Sequence, residues 1–183
     1  MLNKIANIIV NVARKEDLIL RHVGKGIFHL PELAFTYIIG REIAINAENI
    51  FGTSNIEWFL EKNITEKAGR TDLVFEVNKK NGIAIEFKIG GKHETYIKDI
   101  EKLKNIPDNY ETIFCALIDA WPDQLHSDPR IIAVKSVPGV KPICKDEFFD
   151  FFATLSDFVH QICCIVGIWQ VSKKTNNSLQ RMG

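Results

Sequence analysis

The spacing of apolar positions changes several times along the chain, and each change predicts an element. Between residues 3 and 21, Ile5, Ile8, Ile9 and Val12 recur at helical spacing with polar residues in the gaps, which predicts an amphipathic helix. His22-Val23-Gly24-Lys25-Gly26 breaks it. A second helix is expected from Pro31, where the missing amide donor costs nothing. It runs through ELAFTYIIGREIAINAE with Ala34, Tyr37, Ile38 and Ile45 on one face. The period then shortens to two. Asn55–Glu61 reads as a first strand, and Thr71–Val77 and Ile83–Ile89 alternate and are rich in β-branched and aromatic residues. Between them lies Asn78-Lys79-Lys80-Asn81-Gly82, whose Asn-Gly ending predicts a tight turn with positive φ.

A third helix is expected over 93–106, with Tyr96, Ile97, Ile100 and Leu103 as its stripe. Glu111–Ile118 and Arg130–Val137 read as two more strands, and Lys145 to His160 as a Phe-dense helix. The order is helix, helix, three strands, helix, strand, strand, helix. It predicts an α/β fold: a mixed sheet made of a three-stranded meander, a crossover helix and further strands, flanked by helices. No internal repeat is visible. A single domain is expected over 1–172, followed by a polar, disordered tail over 173–183.

Two strands carry the chemistry. Side chains two apart in a strand share a face. Ile83, Ile85, Phe87 and Ile89 make one apolar row, with Ala84, Glu86 and Lys88 opposite; Leu73, Phe75 and Val77 make another, with Asp72, Val74 and Glu76 opposite. If Val77 pairs with Ile83 across the turn, Asp72 faces Lys88 and Val74 faces Glu86. Asp72 and Glu86 are then diagonal neighbours, roughly 7–8 Å apart at the backbone. Two carboxylates so placed can share a divalent cation, which relieves their repulsion, acidifies a water and polarises a phosphoryl oxygen. Lys88 on the same face can orient that water or neutralise developing charge. A register slip of one residue would turn Asp72 to the wrong face. The plain reading of the same pattern is a solvated hairpin face with an Asp72–Lys88 ion pair.

Asp72, a hairpin, then Glu86-Phe87-Lys88 resembles the PD-(D/E)XK nuclease superfamily, with Thr71-Asp72 in place of Pro-Asp. The resemblance covers about half the chain, from Pro31 to Ile118. It implies a restriction-endonuclease-like fold: helix, three-stranded meander, helix, strand. It implies that Asp72 and Glu86 bind metal and that Lys88 assists the attacking water. It also implies an acid on the helix before the meander that completes the metal site, with Glu32 the best match and Glu42 the second. Glu32 equally suits the first turn of any helix. The polar face of the helix after Lys88, with Lys98, Asp99 and Lys102, often borders such a site, though the same residues suit a plain exposed face. Lys92, Lys98 and Lys102 are the candidate nucleic-acid contacts; Lys79, Lys80 and Lys104 also cluster near the motif.

Composition narrows the rest. The chain has 183 residues, 46% hydrophobic and 25% charged, enough for a sizeable core. Lys plus Arg and Asp plus Glu are 23 each, which counts against tight non-specific nucleic-acid binding yet permits a local basic patch. Cys115, Cys144, Cys163 and Cys164 show no metal-ligand spacing and read as buried reduced thiols of a cytoplasmic protein. The first residues lack the pattern of a secretory signal. The longest apolar stretch, Ile162–Val171, is too short to span a membrane. Gly90-Gly91-Lys92 lacks the spacing of a phosphate-binding loop and reads as a turn, and His93 and His126 read as surface residues. The run Phe148, Phe149, Phe151, Phe152, Leu155 and Phe158 is too apolar for one helix face, so it is core or subunit interface.

The expectation is therefore a Mg²⁺-dependent nuclease, with Mn²⁺ as a substitute. It acts on DNA in preference to RNA, as an endonuclease ahead of an exonuclease, and as a homodimer. The alternative from another class is a catalytically silent nucleic-acid-binding or assembly subunit with the same fold.

Overall fold

The computed structural model describes residues 1–78, 81–155 and 162–173. Helix α1 (Leu2–Arg21) is followed by α2 (Glu32–Ile45) and the short α3 (Ala47–Phe51). Strands β1 (Ile56–Asn63), β2 (Arg70–Val77) and β3 (Asn81–Ile89) form an antiparallel meander. Helix α4 (His93–Leu103) then crosses to β4 (Tyr110–Ala120), which pairs with β3 in parallel. Helix α5 (Pro129–Ser136), β5 (Val140–Pro142), β6 (Phe148–Ala153) and β7 (Ile162–Val171) complete the described chain. The seven-stranded mixed sheet runs β1-β2-β3-β4-β7-β5, with β6 also pairing with β7. The expected mixed sheet flanked by helices is therefore present.

Alternation along the central strands sorts side chains into two layers. Leu73, Phe75, Ile85, Phe87, Ile113 and Cys115 pack with Ile5, Ile9, Phe35 and Ile39 of α1 and α2. Ala84, Phe114, Ala116 and Ile118 pack with Tyr96, Ile100 and Ile131 of α4 and α5 on the other side. Strand β7 is buried on both faces, which is why its run ICCIVGIWQV shows no alternation. No helix among the described residues is long and apolar enough to cross a membrane.

Two expected elements are corrected. Arg130–Val137 is predicted as a strand, yet the chain is helical there. Asp128 caps the helix by accepting from the Arg130 amide at 2.8 Å, and Pro129 occupies the first turn. Those start signals outweigh the β-branched run, and Ile131 and Val134, three apart, face the core. Lys145–His160 is predicted as a helix, yet Phe148–Ala153 is a strand on the edge of β7. Phe149 and Phe151 point to the α1 layer while Phe148 points to the other, so the run that is too apolar for a helix face divides at period two. The expected helix also includes 156–160, and the polar tail includes 174–183; both lie outside the described residues.

The buried face of α2 also differs from the expected one. Phe35, Thr36, Ile39, Gly40 and Ile43 face the core, whereas Tyr37 and Ile45 are exposed. The helix is apolar on both sides, so spacing alone does not select a stripe. Close approach to the sheet does. A Cβ on Gly40 would lie 2.4 Å from the Trp58 ring and 3.1 Å from Leu73 Cδ1. This contact sets the depth of α2, whose first residue is Glu32.

A larger residue at position 40 should therefore lift α2 from the sheet. We expect Gly40→Val to lower stability by about 1–3 kcal/mol through overpacking. Gly40→Ala should lower it less, because better helix propensity returns about 1 kcal/mol. Denaturant unfolding measures both, and a Gly40→Val variant as stable as the parent would refute this packing account.

Candidate functional site

Strand β3 carries Glu86 and Lys88 on the face covered by α4. The observed hairpin register pairs Val77 with Asn81 and Leu73 with Ile85. The expected pairing of Val77 with Ile83 is thus corrected by two residues, which preserves the facing of every side chain. Continued one step, the ladder sets Asp72 opposite Glu86, closer than the expected diagonal. The Asn-Gly expectation also changes. Asn78, with φ +51°, takes the left-handed conformation, and Gly82 lies inside β3. Gly82 is required for another reason: a Cβ there would meet the Tyr110 ring at 2.2 Å and the Phe75 carbonyl at 2.6 Å.

Past Leu73–Ile85 the carboxylates join the strands. Asp72 Oδ2 accepts from the Phe87 amide at 2.8 Å, and Glu86 Oε1 accepts from the Asp72 amide at 3.3 Å. Helix α4 follows β3 through Gly90 and Gly91, both at positive φ, where a side chain would be strained. The Tyr96 hydroxyl donates to the Gly90 carbonyl at 2.8 Å and fixes this turn. The tight turn brings two α4 residues onto β3. Lys102 Nζ lies 2.7 Å from Glu86 Oε1, and Asp99 Oδ2 lies 3.1 Å from Lys88 Nζ. From the opposite layer, Glu32 reaches the end of β3. Its Oε2 accepts from the Ile89 amide at 3.1 Å, and its Oε1 lies 3.4 Å from Lys88 Nζ.

The result is a half-closed cluster of four carboxylates (Glu32, Asp72, Glu86, Asp99) and two lysines (Lys88, Lys102). Glu86 is only 1% exposed. Burial, and then the Asp72 charge beside it, push its carboxyl up to about 8 against the opposing effect of Lys102. Burial also raises Asp72, opposed by the Phe87 amide and the two lysines. Burial works against the Lys88 charge, but Asp99 and Glu32 outweigh it and hold the ammonium above the ordinary lysine value. Lys88 is therefore charged at neutral pH and suited to stabilising negative charge rather than to accepting a proton.

The sequence-derived residues fall in three groups. Asp72, Glu86, Lys88 and Glu32 come together. Lys102 joins them through an ion pair with Glu86. Lys92 and Lys98 are exposed along α4 and its N-cap. Glu42, the second choice for the helix acid, pairs with Arg41 and lines a groove of about 270 Å³ between α1 and α2. Glu76 pairs with Lys62 and the Tyr110 hydroxyl, away from the cluster. Lys79 and Lys80 lie outside the described residues. Asp99, expected either to border the site or to lie on a plain exposed face, grips Lys88. The signal for it was present: Tyr96, Asp99, Ile100 and Leu103 stand at i, i+3, i+4 and i+7, so Asp99 interrupts the stripe that α4 buries.

Asp72 and Glu86 are the side chains here that could share a divalent cation. Two raised, mutually repelling carboxylates on facing strands are what such a cation would relieve. Among the described residues no hydrogen bond is made to Oδ1 of Asp72 or Oε2 of Glu86, so each keeps an oxygen for a ligand role. No three His, Cys, Asp or Glu side chains converge as a ready-made metal centre among the described residues. Glu32 is turned to Lys88 and the Ile89 amide instead. No protein-family model, curated protein or solved structure matches this chain.

The raised Glu86 value has a stability consequence. A group whose pKa is raised on folding contributes stability that is fully present below its unfolded value and lost as pH rises through the folded one. For Glu86 the window runs from 4.5 to about 8, and Asp72 shifts in the same direction. We expect the melting temperature of the metal-free protein to fall across this window relative to Glu86→Gln. Parallel pH profiles for the two proteins would show that Glu86 is not shifted in this way.

Proposed function

We propose that the chain is a divalent-metal-dependent nuclease of the PD-(D/E)XK type, with the restriction-endonuclease-like fold, acting on DNA. One observation carries this reading: Asp72 and Glu86 face each other across the hairpin while Lys88 sits beside them on the same strand face, held by Glu32 and Asp99. The element order from α2 to β4 supports the same reading, since it matches the core that the resemblance implies.

Asp72 and Glu86 would hold the cation, Mg²⁺ by preference with Mn²⁺ as substitute, and Glu32 would stand behind them. The bound cation supplies Lewis acidity toward a phosphoryl oxygen and a more acidic water. The chain's own residues do the rest. Lys88, kept charged by its two acids, presents an ammonium where negative charge develops on the phosphate. Because Glu32 and Asp99 come from different helices, they fix that ammonium from two sides. Lys92 and Lys98 stand exposed along the helix that covers the site and can meet the flanking phosphates as screened point charges.

The test is cleavage of plasmid and of single-stranded DNA by the purified protein with Mg²⁺, with Mn²⁺ and with a chelator. Asp72→Asn and Lys88→Ala run beside it. We expect metal-dependent nicking or linearisation that the chelator abolishes and that each variant reduces by roughly a hundredfold or more. Cleavage undiminished in both variants would place the activity elsewhere. A folded protein that binds DNA without cutting under any of these conditions would favour the catalytically silent subunit.

A further inference from the structure

Resting on the metal-site reading above, we infer that Lys102 is an internal counter-cation that competes with the divalent metal for the Glu86 carboxylate. Metal entry and departure of the Lys102 ammonium are a single exchange.

The two lysines of the cluster are held differently. Lys88 sits between Glu32 and Asp99, at 3.4 and 3.1 Å, and neither acid is Asp72 or Glu86. Lys102 has one ion pair among the described residues, to Glu86 Oε1 at 2.7 Å. Glu86 itself is almost fully enclosed, so in the absence of metal that ammonium is what favours its charged form. A dication on the same carboxylate would stand within a few ångströms of the ammonium, and two positive charges that close repel strongly where water is largely excluded. Lys88 would lose no ion-pair partner to the metal, because Glu32 and Asp99 are not the two carboxylates that would hold it.

The displaced ammonium has somewhere to go. Lys102 is 22% exposed, a lysine's four-carbon stem is flexible, and Lys98 lies one helical turn before it on the exposed side. Leaving Glu86 carries the charge outward along α4 toward Lys98. An arriving phosphate backbone would then meet two lysines on that wall in place of one. The site is thus closed by its own cation when metal-free, and gains positive charge toward the substrate when metal binds.

Calorimetric titration of the 183-residue chain with Mn²⁺ alone tests this, using wild type, Lys102→Met, Lys98→Ala and Glu86→Gln. Lys102→Met keeps most of the stem and removes the competitor, so Mn²⁺ should bind at least about tenfold more tightly than to wild type. Lys98→Ala removes a screened, exposed charge and should change affinity by no more than about twofold. Glu86→Gln should lose binding. Equal or weaker binding by Lys102→Met, with wild type binding normally, overturns the exchange and leaves the metal site standing. Absence of Mn²⁺ binding in wild type and Lys102→Met alike overturns both. The same exchange can be followed in unmutated protein by nitrogen-15 NMR of the lysine ammonium groups, with Lys102→Arg used for assignment. The Lys102 signal should lose its protection on adding Mg²⁺ while that of Lys88 persists; the reverse pattern, or no change in Lys102, overturns the exchange.

Discussion

Two ionisable side chains on a central, doubly covered strand set the terms for this molecule. Strand β3 lies between β2 and β4 and is packed from both sides, and it carries Glu86 and Lys88 near its end. Removing each charge from water costs several kcal/mol even after relaxation. The surrounding elements answer that cost in particular ways. Helix α4 brings Lys102 to Glu86 and Asp99 to Lys88, α2 brings Glu32 to Lys88, and the neighbouring strand brings the Asp72 amide to Glu86. Loss of any one of these partners would leave a desolvated charge, a larger penalty than the pair is worth when intact.

The apolar layers hold these partners at the right depth. Gly40 lets α2 sink against Trp58 and Leu73, which places Glu32 level with the end of β3. The buried Asp17 secures the approach to that helix. It accepts from the Ile27 amide and the Thr154 amide, each at 3.0 Å, and from the Thr154 hydroxyl at 3.1 Å. One side chain thus ties α1 and the end of β6 to the turn that leads into α2. On the other layer, Gly90 and Gly91 start α4 immediately after β3, and Tyr96 locks the turn by donating to Gly90. Tyr96, Ile100 and Leu103 then bury the helix on the sheet with Asp99 among them. The polar cluster is a consequence of packing on both faces rather than a surface feature laid over it.

The meander and its crossover were legible because alternation and helical spacing are strong there, and facing in the hairpin survived a two-residue error in register. An even shift leaves every side chain on its own side, so Asp72, Glu86 and Lys88 could be grouped without the turn geometry being right. The C-terminal third was less legible. Strands buried on both faces lose their alternation, as β7 does, and Phe148–Ala153 divides its rings between two layers in a way that mimics a helix too apolar to have one face. At Arg130–Val137 the β-branched composition favours a strand, while the Asp128-Pro129 start signal favours the helix that forms. Asp99 and Lys102 were visible as residues, but their roles depend on how tightly α4 is held to β3. That distance is set by two glycines and a tyrosine hydroxyl, which a spacing pattern does not rank.

The composition of the cluster bears on what it is for. Ion pairs this enclosed are weak stabilisers, since apolar side chains of similar volume fill such space at lower free energy. A purely structural role would be best served by balanced pairs. Here four carboxylates stand against two lysines, and the most enclosed acid, Glu86, is pushed up to about 8 even with Lys102 upon it. The arrangement thus keeps an excess of acids over lysines, which the folded chain meets in part by favouring the protonated form of Glu86. On the proposed reading that excess is the binding energy reserved for a divalent cation, and the neutral overall charge is no obstacle. The cation cancels the local negative charge, and the exposed Lys92 and Lys98 lie along the helix that borders it. A polyanion would then be attracted to this one locality after metal entry, while the rest of the surface gives it no general reason to adhere.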